Sequence, residues 1–164
     1  MNNSAIVKTL VWPDEAATTA FAQQLAAALT RAHNGLNACI TLEGDLGAGK
    51  TSLVRHLLRA LGVQGRIKSP TYAVVEPYQV AAGAVWHFDF YRFSDPREWE
   101  DAGFRDIFAS PGLKLCEWPD KAQGLMPPPD LALHLHTGED GRREVRADAL
   151  SVCGVGLVHA MRPA

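Results

Sequence analysis

Apolar positions recur along this chain with two periods, and each change of period marks a helix giving way to a strand. Residues 5–11 (AIVKTLV) form a short apolar-rich run closed by Trp12-Pro13, which predicts an opening strand. Asp14 then offers an N-cap. The Ala-rich segment from Glu15 to Thr30 carries Phe21, Leu25 and Leu29 four residues apart, so they share one helical face. His33-Asn34-Gly35 ends this helix with residues suited to left-handed backbone. Ala38 to Leu42 (ACITL) is a short apolar run between turn signals, the pattern of a buried parallel strand.

A glycine-rich turn over Gly44–Gly49 separates that strand from a second helix. Lys50 to Leu61 places Leu53, Val54, Leu57, Leu58 and Leu61 on one face, and Gly62 follows as a cap. Residues 65–72 (GRIKSPTY) read as an ordered loop, because Pro70 holds Ser69 extended. AVVEPYQV (73–80) and GAVWHFDFYRF (83–93) read as two strands joined around Ala81–Gly83. Asp95–Phe108 carries early acids and apolar residues at helical spacing, predicting one short helix. Leu113–Glu117 (LKLCE) predicts another short strand. Residues 126–130 (MPPPD) form a stiff linker. Residues 131–136 and 143–149 alternate around a polar turn, a C-terminal β-hairpin. These elements predict an α/β fold with a central, mostly parallel sheet flanked by helices. The expectation is a single domain over residues 1–164, without internal repeats.

The chemistry sits in Gly44-Asp45-Leu46-Gly47-Ala48-Gly49-Lys50-Thr51, which satisfies the P-loop (Walker A) pattern at every fixed position. Its glycines let backbone amides close around phosphate oxygens with no Cβ in the way. The amides then form an anion nest at the head of the following helix. Lys50 is placed to reach the β- and γ-phosphates, and the Thr51 hydroxyl to ligate magnesium. Ser52 completes the expected nucleotide-binding set. A neighbouring strand must supply an acid, and Asp89 and Glu117 each end an apolar run. Either could touch the metal directly; the sequence leaves that open.

Composition changes this picture little. The 164 residues are 47% hydrophobic and 21% charged, those of a globular protein. A net charge of −2 advertises no nucleic acid surface. Cys39, Cys116 and Cys153 are widely separated and read as free thiols of a reducing cytosol. No run approaches the roughly 20 apolar residues of a membrane span, and the N-terminus lacks a secretory pattern. A cytoplasmic location is expected.

GDLGAGKT, KSPTY at 68–72, HFDFYR at 87–92 and EWP at 117–119 together resemble the TsaE (YjeE) family, across nearly the whole chain. Those proteins are bacterial ATPases needed to make threonylcarbamoyladenosine at position 37 of tRNAs. The resemblance implies ATP/ADP and Mg2+ as cofactors, and partners similar to TsaB and TsaD. It implies tRNA reached only indirectly through that complex, and no membrane. Lys50 and Thr51 then resemble the phosphate lysine and magnesium threonine. Asp89 resembles the acid essential for hydrolysis, and Glu117 a magnesium-site acid. Trp118 resembles an aromatic beside the nucleotide. Ser69 and Thr71 lie in a segment similar to a switch-like loop on the γ-phosphate side. Glu15 resembles a residue bordering the adenine, and Gly141-Arg142 a hairpin tip near the same end.

Several residues keep two readings. His87 shares a strand face with Asp89, so it either tunes that acid or serves as a structural histidine. Arg92 either bridges a loop or faces partner proteins. His134 and His136 lack a third ligand, which disfavours a metal site. No arginine is placed as an obvious finger, so slow hydrolysis is expected unless partners stimulate it. A small-molecule kinase and a nucleotide-gated binding module are the competing functions. The first lacks room for an acceptor domain, and the second would not need Asp89. The chain has no Asn-Lys-x-Asp tetrapeptide, which favours ATP over GTP.

Overall fold

The computed structural model describes residues 6–32 and 35–161. The chain runs through β1 (Ile6–Trp12), α1 (Glu15–Arg31), β2 (Ala38–Glu43), α2 (Lys50–Leu61), β3 (Val75–Val80) and β4 (Gly83–Asp89). It continues through α3 (Arg97–Asp101), α4 (Phe104–Ala109), β5 (Leu113–Glu117), a 3-10 turn (Pro119–Ala122), β6 (Leu131–Thr137), β7 (Arg143–Ala149) and α5 (Val152–His159). Among the described residues, seven strands form one sheet in the order β1-β7-β6-β2-β5-β4-β3. The four central strands β6, β2, β5 and β4 are mutually parallel, and the three outer pairings are antiparallel. The expected α/β architecture with its C-terminal hairpin is therefore present.

Local chemistry accounts for most boundaries. Asp14 caps α1, accepting from the Ala17 amide at 2.9 Å. Gly62, at φ 108, closes α2 in the left-handed conformation. The expected turn His33-Asn34 lies outside the described residues, as does Ala5. The single helix expected over Asp95–Phe108 is two, α3 and α4. Gly103 at φ 78 breaks the helical path between them. Pro77 sits in β3, the end strand of the sheet, where a missing N–H costs no ladder bond on the open side.

The sheet has a different core on each face. On one side α1, α2 and α5 cover Ile40, Leu42, Val85, Leu113, Leu115 and their neighbours. On the other, α3 and α4 close over an aromatic cluster of Phe88, Phe90, Phe93, Trp99 and Phe104. Strand alternation makes this division, since successive side chains point to opposite faces. Val85, His87 and Asp89 thus face the α2 side, as do Leu113, Leu115 and Glu117. β4 and β5 pair in parallel with Asp89 opposite Glu117. Both acids therefore arrive at the carboxyl end of the sheet, beside the turn that leaves β2.

Helix α5 was not anticipated. Val152-Cys153-Gly154-Val155-Gly156 is poor in helix formers. Two contacts impose the helix instead. Ser151 caps it, accepting from the Gly154 amide at 3.1 Å, and donates to Asp130 Oδ1 at 2.8 Å. Leu157 and Val158 then bury against the sheet. The Pro-rich linker ends in the same anchor, because Asp130 Oδ2 also accepts from the Cys39 amide at 2.8 Å.

Candidate functional site

The site begins where β2 ends. Gly44 adopts φ 147, and a Cβ there would stand 2.4 Å from the carbonyl oxygen of Leu135. Only glycine fits so close a backbone. Gly49, at φ 105, starts α2 without a side-chain cap. The first amides of α2 are thus left for an anion. Lys50, 5% exposed, donates to the carbonyl of Gly44 and lies 3.7 Å over the ring centre of Trp118. Trp118 itself holds φ 59, an unusual conformation for a bulky residue. Its ring also packs on Tyr91 at 4.9 Å.

Thr51, one residue into α2, donates its hydroxyl to Glu117 Oε1 at 2.9 Å and approaches Oε2 at 3.2 Å. Glu117 is 2% exposed and also lies 2.6 Å from His87 Nε2. Asp89 is held by the Tyr91 amide at 2.9 Å. Burial is the largest influence on two groups here, raising the pKa of Asp89 and lowering that of Lys50. These groups open onto a cleft of about 380 Å³, a size suited to a small ligand.

Of the residues expected from sequence, the cleft gathers Leu46, Gly47, Gly49, Lys50, Thr51 and Ser52 from the loop and helix. Thr71, Asp89, Glu117 and Trp118 complete its wall. Gly44, Asp45 and Ala48 lie outside that lining, and within the loop the Ala48 amide donates to the Asp45 carbonyl at 3.0 Å. Ser69 lies outside the lining but bonds to Thr71 across 2.8 Å between hydroxyls. Glu15 is at the rim: its carboxylate accepts from Ser52 at 2.8 Å and meets His56 at 2.5 Å. Arg142 is placed elsewhere, paired with Asp140 at 3.0 Å on the hairpin tip.

Three lining residues were not assigned there from sequence: Tyr91, Arg92 and Arg143. Arg143 lies 3.6 Å from Glu15 and crowds Gly49, where a Cβ would stand 2.7 Å from its Nε. Its signal was present in β7, where Arg143 is in phase with buried Val145, Ala147 and Ala149, a charge on an apolar face. Arg92 stacks its guanidinium 4.3 Å over Tyr72. His87 turns to Glu117 rather than to Asp89. His134 is engaged by Asp148 at 3.1 Å.

The donor set suits magnesium. That ion takes one or two carboxylates and fills its remaining positions with phosphate oxygens and waters, with no need of an all-protein cage. Thr51 and Glu117 present a hydroxyl and a buried carboxylate together, with Asp89 alongside in the same cleft. Among the described residues, no group of three or more His, Cys, Asp or Glu is arranged to hold a metal alone.

Residues 12–145 match the family described as "Threonylcarbamoyl adenosine biosynthesis protein TsaE". The chain belongs to the TsaE family. It is 42% identical over 130 residues to tRNA threonylcarbamoyladenosine biosynthesis protein TsaE of Haemophilus influenzae, covering 79% of this chain and 82% of that one. The Bacillus subtilis protein of the same name is 33% identical over 111 residues, covering 68% and 69%. Among solved structures, YdiB of Bacillus subtilis superposes with a TM-score of 0.75 at 28% identity, covering 95% of each chain. This TsaE chain shares that fold. Among its described residues, no helix is long and apolar enough to cross a membrane.

Proposed function

We propose that this TsaE-family chain is a magnesium-dependent ATP hydrolase of the cytoplasm, acting as one P-loop unit. By docking to and resetting the modification complex, it supports formation of the threonylcarbamoyl group at adenosine 37 of tRNA. The observation that carries the reading is the Thr51–Glu117 contact at the head of α2, with Asp89 in the same cleft. The names of its relatives supply the pathway.

Each residue has a part. The α2 amides and the loop from Gly44 to Ser52 receive the polyphosphate, and Lys50 turns from the Gly44 carbonyl to its outer oxygens. Thr51 and Glu117 hold magnesium, with Asp89 available as a further or water-bridged ligand. When bound, that ion neutralises charge building up between the β- and γ-phosphates. Asp89 orients the attacking water and accepts its hydrogen bond; a carboxyl raised by burial is a better base than an exposed one. Trp118 and Arg143 border the nucleotide, Glu15 holds Arg143, and Arg142 stays at the tip. Ser69 and Thr71 report the γ-phosphate side as a switch-like loop. With −2 net charge, the chain meets tRNA through proteins similar to TsaB and TsaD.

The test is radiolabelled ATP given to the purified chain. Free phosphate released by wild type and lost in Asp89→Asn supports hydrolysis, whereas label transferred to a metabolite would make it a kinase. Full complementation by Asp89→Asn would instead support the binding-module reading.

A further inference from the structure

The Thr51–Glu117 contact does not end at Glu117. Behind it stands His87, 1% exposed, with Nε2 2.6 Å from Glu117 Oε2. An ionised carboxylate can only accept, so the ring donates its Nε2 proton. The other ring nitrogen, Nδ1, is buried with no hydrogen-bond partner among the described residues. Buried polar atoms are almost always paired, and a ring kept only to fill space would not strand one. An apolar side chain would pack there without that cost. What distinguishes histidine at this position is the donor it aims at Glu117.

The strands explain the aim. His87 is opposite Leu115 in the parallel β4–β5 pairing, so Glu117 lies diagonally ahead of it on the same face. From there the imidazole meets one carboxylate oxygen, while Thr51 holds the other at 2.9 Å. A carboxylate gripped from both sides loses the freedom to rotate.

We propose that His87 is a positioning residue, which fixes the Glu117 carboxylate in the orientation that receives magnesium beside Thr51. The inference rests on the reading of Glu117 as a magnesium ligand. Partners that orient a ligand from behind commonly change metal affinity by about 10–100-fold.

Magnesium titrations of the full chain with a fluorescent, non-hydrolysable ATP analogue test it, alongside metal-free analogue affinity and thermal melting. His87→Gln carries a side-chain nitrogen at the ε position and keeps the donor, whereas His87→Asn stops one atom short and His87→Leu has none. His87→Asn and His87→Leu are expected to raise the half-saturating magnesium concentration about tenfold or more. Their metal-free affinity should stay unchanged, and His87→Gln should remain near wild type. A cooperatively melting His87→Asn with the wild-type magnesium requirement would overturn the proposal. So would His87→Gln impaired as badly as His87→Leu. If magnesium had no effect on analogue binding by wild type, the magnesium-site reading itself would fall, and this inference with it.

Discussion

Lys50 and Asp89 share one cleft, and burial acts on each against its charge, lowering the first pKa and raising the second. For Asp89 this has a thermodynamic sign. The unfolded carboxyl ionises near its ordinary value of 3.8, while the folded one holds its proton to higher pH. Above that ordinary value the native state binds more protons, so this residue makes stability fall as pH rises through the window, leaving a constant penalty beyond. Asp89→Asn, which keeps an acceptor for the Tyr91 amide, should therefore melt above wild type at neutral pH. The gap should narrow on acidification; a gap that is absent or reversed at neutral pH would contradict the burial account. At this scale the sequence displayed the residue types but not their partners. The P-loop was legible because its chemistry is contiguous. The His87–Glu117 bond was not, because it depends on which strands are neighbours. Arg143 was legible only through its phase in β7.

Elements were legible where one periodicity dominated. α2 matches its expected span from Lys50 to Leu61, since five apolar residues and a closing glycine agree. α5 shows the opposite case, with tertiary contacts overriding weak propensity. Its two glycines differ sharply in surroundings. A Cβ on Gly154 would stand 1.9 Å from the carbonyl oxygen of Asp130, whereas one on Gly156 would meet nothing within 4 Å among the described residues. Gly154→Ala should push α5 away from β6 and cost about 1–3 kcal/mol. Gly156→Ala should stabilise by up to about 1 kcal/mol, through lower backbone entropy in the unfolded chain. Urea denaturation of both variants checks the pair; equal effects would show that α5 does not dock as described.

For the whole molecule, the sheet order brings the carboxyl ends of β2, β5 and β4 together, and the cleft lies outside them. The α/β class was readable from the alternation of strands and helices, but the order of strands was not. Nothing in a linear pattern says that β6 joins β2 on one side and β5 on the other. Among the described residues, the two arginines that line the cleft are already engaged, Arg143 by Glu15 and Arg92 by Tyr72. An arginine directed at the γ-phosphate contributes about 10³–10⁵-fold. Turnover by the chain alone is therefore expected below the ordinary range of roughly 1–10³ per second. It should rise on adding proteins similar to TsaB and TsaD, as a phosphate-release assay would show. The most direct test of the whole account is titration calorimetry of the purified chain with ATP and magnesium. It should give saturable binding that Lys50→Ala abolishes while keeping a cooperative melt. Wild-type protein that is folded yet gives no binding heat over a range of temperatures, or Lys50→Ala that binds as well as wild type, would contradict it.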